Sequence, residues 1–310
     1  MHRIQVITYK FLINILLRLP DAFYAVLFAT VFPVYKALHK KRAYGRVEKH
    51  LAHAKEYKAK SSNAISKINA RDTFRGIFRN ALESYRGLAR FNSVEKRIVY
   101  ENEHIIRNAI AECARQNAPI AGISIHQGAF ELMHRALCRY SEHVHLITDS
   151  VGDIAFREVL KDLRSDPHLT EYHPDETGRL IRELFRTKGI LAMVIDQGKH
   201  TKGNTVSLFG RPSTLYLRLP QKINEMGAGI VTFRTWSEKK RIVIRFESYY
   251  PPKYDIQQGN ETSARIYGQS AENAAQSKNP LILGIAHEVE TWIAEHPEQW
   301  SWNYHGNFIG

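Results

Sequence analysis

Residues 120–131 read IAGISIHQGAFE, an apolar run from Ile120 to Ile125 followed at once by His126 and, further along, by Glu131. The run has the length of a buried strand, and the residues from Leu132 to Tyr140 have helical spacing. A strand that leads into a helix is the repeating unit of α/β proteins, so this stretch indicates the fold class. It also places an imidazole, which can take a proton from an alcohol, near a carboxylate that can hold its second nitrogen.

Strands and helices alternate through much of the rest of the chain. Apolar runs predict strands at 98–100, 120–125, 144–148, 190–195, 230–236 and 241–249. Helical spacing predicts helices at 103–117, 129–140, 154–163, 177–187, 214–226 and 281–295, with the 214–226 helix kinked or broken at Pro220. The pattern predicts an α/β fold with a mostly parallel central sheet flanked by helices. Active sites in such sheets lie beyond the carboxyl ends of strands, and Asp196, like His126, follows a predicted strand closely.

Composition and charge narrow the classes of partner. The chain has 310 residues, 44% of them hydrophobic, which is enough for one large domain or two small ones. The net charge of +13 and the pI of about 9.6 favour nucleic acid, acidic lipid headgroups or an acidic carrier protein. Aromatic residues cluster in the apolar N-terminus and the Trp-rich end, not within a basic patch, so no nucleic-acid partner is expected. Cys113 and Cys138 have no metal-ligand spacing and are expected to be reduced residues in or near the core of a cytoplasmic protein.

The N-terminus carries two apolar segments and then a basic cluster. Residues 11–19 contain one charge, residues 22–35 contain none, and residues 36–46 are strongly basic. A full span needs roughly 20 apolar residues, and the uncharged segment is shorter and contains Pro33. We expect two helices in or on one leaflet, with the basic cluster against anionic headgroups; the alternative is that they pack on the protein's own core.

The sequence therefore divides into membrane-associated helices at residues 1–46 and an α/β domain at residues 47–310. Residues 47–97 form a helical lead-in, in which arginines interleave with the apolar positions as a solvated face or as a surface for membrane or carrier protein. Residues 257–280 are polar and are expected to form a long loop or a poorly ordered insertion.

His126 and Glu131 are the first candidate catalytic pair. Their spacing is not His-Glu-x-x-His, which excludes the zinc-protease motif, and the neighbouring histidines form no ligand set, so no metal site is expected. The alternative for Glu131 is a carboxylate that stabilises the first turn of a helix. Ser213 or Thr214 is a candidate cap for the next helix, whose free amides would suit an anion.

Four motifs occur in a fixed order: His126 to Glu131, Asp196-Gln197, Phe209 to Pro212 and Pro297 to Trp302. With Leu16 to Pro20 ahead of apolar helices, the chain resembles the bacterial lipid A biosynthesis acyltransferases, the late lauroyl and myristoyl transferases of the lysophospholipid acyltransferase superfamily. The resemblance covers nearly the whole chain, most firmly residues 119–305. The glycerolipid branch usually has aspartate at the position of the glutamate, together with a Glu-Gly-Thr-Arg-like block. The glutamate and the missing block favour the glycolipid branch, while the long polar loop departs from the usual compact ending.

The resemblance implies an enzyme of lipopolysaccharide biosynthesis on the cytoplasmic face of the bacterial inner membrane. It would move a fatty acyl chain from acyl carrier protein, or from coenzyme A, to a hydroxyl of a phosphorylated, partly acylated glycolipid such as a lipid A precursor. No cofactor is implied beyond the thioester co-substrate. Carrier protein and anionic membrane are the expected partners, and we expect a monomer.

The resemblance also implies residue roles. His126 is similar to the family's general base, Glu131 to its orienting carboxylate, and Asp196 to a functional aspartate. Substrate binding is assigned to five residues: Arg164 for the acceptor phosphate, Arg157 as the alternative arginine, and Gln197, Gly210 and Arg211 from the shared motifs.

The expected mechanism is direct transfer, since no serine or cysteine is well placed as a covalent nucleophile. Three alternatives remain at this point. The same residues would serve acylation of another glycolipid or lipid, such as a mannosylated phosphoinositide or an ornithine-type lipid. A membrane-bound hydrolase would use the histidine on water, and a basic nucleic-acid-binding protein would use the charge alone.

Overall fold

The structure is a computed structural model, and it describes residues 2–58, 63–148, 154–197, 203–239, 241–253 and 279–302. The strands within these ranges are β1 (Ile98–Glu101), β2 (Ile120–Ser124), β3 (Val144–Ile147), β4 (Leu169–Tyr172), β5 (Ile190–Val194), β6 (Asn204–Leu208), β7 (Arg211–Leu215), β8 (Gly229–Glu238) and β9 (Arg241–Tyr250). The α-helices are α1 (His2–Arg18), α2 (Asp21–His39), α3 (Gly45–Lys58), α4 (Asn63–Lys67), α5 (Ala70–Ala89), α6 (Phe91–Val94), α7 (Glu103–Arg115), α8 (Met133–Leu137), α9 (Ile154–Arg164), α10 (Thr177–Thr187), α11 (Arg218–Glu225) and α12 (Pro280–Glu295).

Seven strands form one sheet in the order β1-β9-β8-β2-β5-β3-β4. Every neighbouring pair is parallel except the hairpin of β8 and β9. The predicted α/β fold with a mostly parallel sheet is therefore confirmed. The two remaining strands, β6 and β7, form a separate antiparallel ribbon.

Strand β2 lies in the middle of the sheet, with apolar packing on both faces. Ala121 and Ile123 belong to one core cluster, and Ile120 belongs to the other. A parallel strand covered on both faces is apolar at nearly every position, which explains the run that precedes His126, in which Ser124 is the one polar residue.

Helix α5 lies on the side of the molecule that carries the candidate site described below, and it begins at a capping box. The Asn69 side chain accepts from the Asp72 amide, and the Asp72 carboxylate accepts from the Asn69 amide. The buried face of α5 includes small and polar residues, Gly76, Asn80 and Ser84 among them, which lets neighbouring segments approach closely.

The two N-terminal helices each bury one face on the body of the protein. Val6 of α1 packs with Ala155 and Val159 of α9, and Phe32 of α2 contacts Phe74 of α5. Their outer faces expose large apolar side chains: Ile7, Phe11, Leu12, Ile15, Phe23, Val26, Val31, Val34 and Leu38. By length and composition, Ala22–His39 is apolar enough to cross a membrane, with a mean hydropathy of 1.3, and 17% of it is buried.

One predicted helix is wrong in its first part. Thr214 lies in β7, and the helix begins only at Arg218, so 214–226 is a strand end followed by a shorter helix. Pro220 lies in the first turn of α11, where its missing amide costs no hydrogen bond, so no kink results. Ser213 and Thr214 therefore cap no helix, and the anion site predicted there is absent. The predicted polar loop at 257–280 lies outside the described residues except for Asn279 and Pro280.

Candidate active site

Sheet register brings His126 and Asp196 together. Strands β2 and β5 are parallel neighbours, and Ser124 is paired with Val194 in their register. Two residues beyond each partner lie His126 and Asp196, and His126 Nδ1 is 2.6 Å from Asp196 Oδ1. The two chain segments that the sequence placed after separate strands therefore meet at one point on the carboxyl edge of the sheet, as expected for this fold.

Asp196 is buried and accepts hydrogen bonds from three N–H groups. The His126 backbone amide lies 3.1 Å from Oδ2, the His126 ring nitrogen 2.6 Å from Oδ1, and Trp300 Nε1 2.9 Å from Oδ2. A carboxylate that accepts at both oxygens obliges Nδ1 of the imidazole to carry the proton. Nε2 of His126 then holds the lone pair and is the nitrogen able to act as a base.

Glu131 is paired with Arg164 rather than with the histidine. Arg164 Nε donates to Glu131 Oε2 at 2.9 Å and Nη2 donates to Oε1 at 2.7 Å, a bidentate pair between two nearly buried side chains. Burial alone would raise the pKa of the Glu131 carboxyl, but the charge and hydrogen bonds of Arg164 outweigh it and hold that pKa below its ordinary value. Glu131 therefore remains an ionised carboxylate beside the histidine.

One expected role needs correction. The carboxylate on the second nitrogen of His126 is Asp196, and not Glu131, because the register places Asp196 directly opposite. The phosphate role expected of Arg164 stays a prediction: three of its five N–H groups are engaged, two by Glu131 and one by Thr148 Oγ1, which lies 3.2 Å from Nη1. Arg164 braces the glutamate at the site.

The Trp-rich end of the described chain, residues 297–302, packs against the turn that follows His126. These residues are called the tail below. Trp300 pairs with Gln127 in an isolated antiparallel bridge, and the Gly128 amide donates to the Gln299 carbonyl at 3.0 Å. Gly128 has a φ of +58°, and a Cβ there would lie 2.5 Å from the Thr235 carbonyl oxygen. The turn after His126 is thus held between the tail and β8, and only glycine fits it.

A small cleft of about 80 Å³ opens beside His126. Helix α5 forms one wall, and the segment after β2 forms the other. The lining residues are Ile77, Asn80, Ala81, Ser84, Tyr85, His126, Phe130, Glu131 and Ser301. The ring of Phe130 meets the imidazole edge to face at 4.5 Å, which positions His126 against this cleft.

The other predicted substrate-binding residues lie outside that cleft. Arg157 is exposed on α9. Gln197 follows Asp196 directly, and its Nε2 is buried without a hydrogen-bond partner among the described residues. Gly210 has a φ of +73° in the turn between β6 and β7, where a Cβ would lie 2.5 Å from the Tyr57 ring, and Arg211 opens β7. The structure therefore gives Gly210 a role in packing the ribbon on α3.

Within the described ranges, no group of three or more His, Cys, Asp or Glu side chains is arranged to hold an ion.

Three polar residues of the site were not predicted from the sequence in these roles: Trp300 as a donor to Asp196, and Asn80 and Ser84 in the cleft wall. Polar residues at a four-residue interval among the apolar positions of the helix were the available signal for the last two.

Comparison with known proteins gives one family. The sequence model of the bacterial lipid A biosynthesis acyltransferases matches residues 84–305, well over half of the chain. The matched range contains His126, Glu131, Arg164 and Asp196. No curated protein matches the chain.

Proposed function

The chain belongs to the bacterial lipid A biosynthesis acyltransferase family, and from that premise we propose that it transfers a fatty acyl chain from a thioester to a hydroxyl of a phosphorylated, partly acylated glycolipid. The acyl donor is acyl carrier protein or coenzyme A, and the acceptor is a lipid A precursor or a closely related glycolipid. The observation that carries this proposal is the hydrogen bond between His126 Nδ1 and Asp196 Oδ1 beside an open cleft.

The mechanism we propose is direct transfer. The acceptor hydroxyl gives its proton to His126 Nε2 as its oxygen attacks the thioester carbonyl, and the collapse of the adduct forms the ester and expels the thiolate. The imidazolium then protonates the thiolate to give the free thiol. Asp196 stabilises the imidazolium, as the buried acid does in a serine-protease triad. General-base assistance of this type contributes roughly 10²- to 10⁴-fold.

Glu131 and Arg164 form a second layer of charge in this mechanism. Glu131 lines the cleft and lies close enough to His126 for the two charges to affect each other. An ionised glutamate there favours the imidazolium that develops during the transfer, while Arg164 prevents the glutamate from taking the proton itself.

We further propose that the enzyme works at the cytoplasmic face of the bacterial inner membrane. The exposed apolar residues of α1 and α2 support contact with lipid, and the net charge of +13 supports attraction to anionic headgroups and to an acidic carrier protein.

The test is a transfer assay with purified protein in detergent. Acyl carrier protein or coenzyme A with a labelled acyl chain is supplied with a partly acylated lipid A precursor, and the mass of the lipid product is measured by mass spectrometry. We expect a product heavier by one acyl chain from the wild type, and none above background from His126→Ala. Release of labelled fatty acid without an acylated lipid would favour a hydrolase. Near-normal turnover in His126→Ala would remove the proposed base.

A further inference from the structure

Helix α5 presents two polar side chains to the same cleft as His126. Asn80 and Ser84 both line it, one helical turn apart on the buried face of the helix. Neither residue belongs to the family motifs described above. The other residues of this wall are Ile77, Ala81 and Tyr85.

The Ser84 hydroxyl is fully buried and has no hydrogen-bond partner among the described residues. A buried serine inside a helix can bond to the carbonyl four residues earlier, and Ser84 does not. A buried hydroxyl without a partner costs about 1–3 kcal/mol. An alanine would avoid that cost, so the described part of the fold gives no reason for a serine here.

Asn80 is buried too, and its amide is oriented by the tail. Its Nδ2 donates to the Gln299 carbonyl at 2.7 Å, and because a carbonyl only accepts, the orientation of the amide is fixed. The Oδ1 atom is then an acceptor, and it has no partner in the part of the chain that the structure describes. It needs an O–H or N–H group from outside the described part of the fold.

We propose that Asn80 and Ser84 are substrate-positioning residues that bind the acyl acceptor. The reacting thioester group carries only acceptor atoms, so Asn80 Oδ1 has nothing to bind at the carbonyl that is attacked. The nearest donor on the thioester substrate is an amide N–H two methylenes beyond the sulfur, on the side of the leaving thiol, and binding there would appear in the KM for the thioester. A sugar acceptor carries O–H groups, and amide N–H groups where it is N-acylated, next to the attacking hydroxyl. Asn80 Oδ1 accepts a hydrogen bond from one of these groups. Ser84 Oγ, which can both donate and accept, forms a hydrogen bond with the adjacent group of the acceptor. This inference rests on the proposed acyl transfer and specifies which substrate α5 binds.

Ser84→Ala is the decisive variant, because none of the described residues bonds to the hydroxyl. We expect a thermal midpoint equal to or above that of the wild type. We expect kcat/KM for the glycolipid acceptor to fall by about 3- to 10-fold, the worth of one neutral hydrogen bond, with KM for the thioester unchanged. Thr73→Val removes a buried hydroxyl from the same helix outside the cleft, one that donates to the Asn69 carbonyl. It is expected to lower the thermal midpoint and to leave both kinetic constants of the folded enzyme unchanged.

Asn80→Asp and Asn80→Leu form a second matched pair. Both lose the donation to Gln299, but only aspartate keeps an acceptor oxygen, so Asn80→Asp should retain several-fold more acceptor kcat/KM than Asn80→Leu. Equal values for the two variants would overturn the role of Asn80.

Kinetic constants equal to those of the wild type in Ser84→Ala would overturn the inference. So would a rise in the KM for the thioester as large as the loss of kcat/KM for the acceptor. A lowered thermal midpoint in Ser84→Ala would assign the hydroxyl to the fold instead. In each case transfer by the wild type would stand, so the proposed function would survive. Absence of transfer by the wild type would overturn the proposed function and this inference with it.

Discussion

At the scale of single residues, the chemistry of the site depends on which atom of His126 carries a proton. Asp196 fixes it by accepting from Nδ1, and Trp300 and the His126 amide hold the carboxylate in place. The nitrogen that faces the substrate is then unprotonated before the reaction and protonated during it. A neutral side chain in place of Asp196 would undo both conditions.

Asp196→Asn should therefore reduce kcat by about 10³- to 10⁴-fold, because an amide facing Nδ1 favours the wrong imidazole tautomer and cannot stabilise the imidazolium. Steady-state transfer kinetics, with circular dichroism to confirm folding, measure it. A loss smaller than tenfold would show that Asp196 does not orient the base.

Glu131 should affect stability as well as activity. Glu131→Gln leaves the buried Arg164 without a counter-charge, and we expect the free energy of unfolding to fall by about 3 kcal/mol or more. Glu95→Gln is the matched control, since Glu95 meets Arg139 on an exposed surface, where such a pair is worth about 1 kcal/mol or less. Denaturant unfolding of both variants measures the difference. Equal losses would mean that the Glu131–Arg164 pair is not effectively buried.

His134 should make the protein less stable in mild acid. Burial is the largest cause that lowers its pKa, to about 4, whereas an unfolded histidine titrates near 6.5. The unfolded state therefore takes up a proton that the folded state does not, so stability present above pH 6.5 is lost as the pH falls from there towards 4. Between pH 7 and pH 5, we expect the free energy of unfolding to fall by about 1–2 kcal/mol less in His134→Leu than in the wild type. An equal loss in the two proteins would contradict this.

At the scale of elements, the sequence predicted the strands and helices that carry the site, but not all of their partners. The run of β2 and the run of β5 are unambiguous because central parallel strands are nearly continuous in apolar residues. The short ribbon strand β7 was mistaken for the start of a helix, since its alternation is brief and contains Pro212. The contact of Asp196 with His126 depends on a register between distant strands, which no local pattern contains.

The close approach of α5 to the tail gives the element-scale prediction. A Cβ on Gly76 would lie 1.7 Å from the Glu298 carbonyl oxygen, so Gly76→Ala must push the helix away from the segment that holds Trp300. We expect a loss of several kcal/mol in the free energy of unfolding. Gly178→Ala makes the same change within α10, where nothing lies within 4 Å of the new Cβ. That variant should gain up to about 1 kcal/mol from helix propensity. Thermal unfolding compares them, and a neutral Gly76→Ala would show that α5 is free to move away from the tail.

At the scale of the whole molecule, the predicted fold is confirmed, and the division of the chain at residue 46 stays a prediction. The N-terminal helices pack on the body through one face, which is part of the alternative that the sequence left open. They also expose an apolar face that the rest of the described chain does not cover. Membrane contact and packing on the core therefore use opposite sides of the same helices.

Membrane binding should consequently have an apolar and an electrostatic part. We expect the purified protein to sediment with vesicles that contain anionic lipid, and high salt to weaken this binding without abolishing it, because salt screens only the charges. Phe11→Glu on α1 and Leu38→Glu on α2 replace side chains that are 65% and 73% exposed. Each should weaken binding by about tenfold or more, since burying one large apolar side chain is worth about 1.5–3 kcal/mol. Met226→Glu, at a 46% exposed position after α11, is the matched control and should bind as the wild type does. If all three variants bound equally, or if salt released the wild type completely, the apolar face of α1 and α2 would not be the membrane contact.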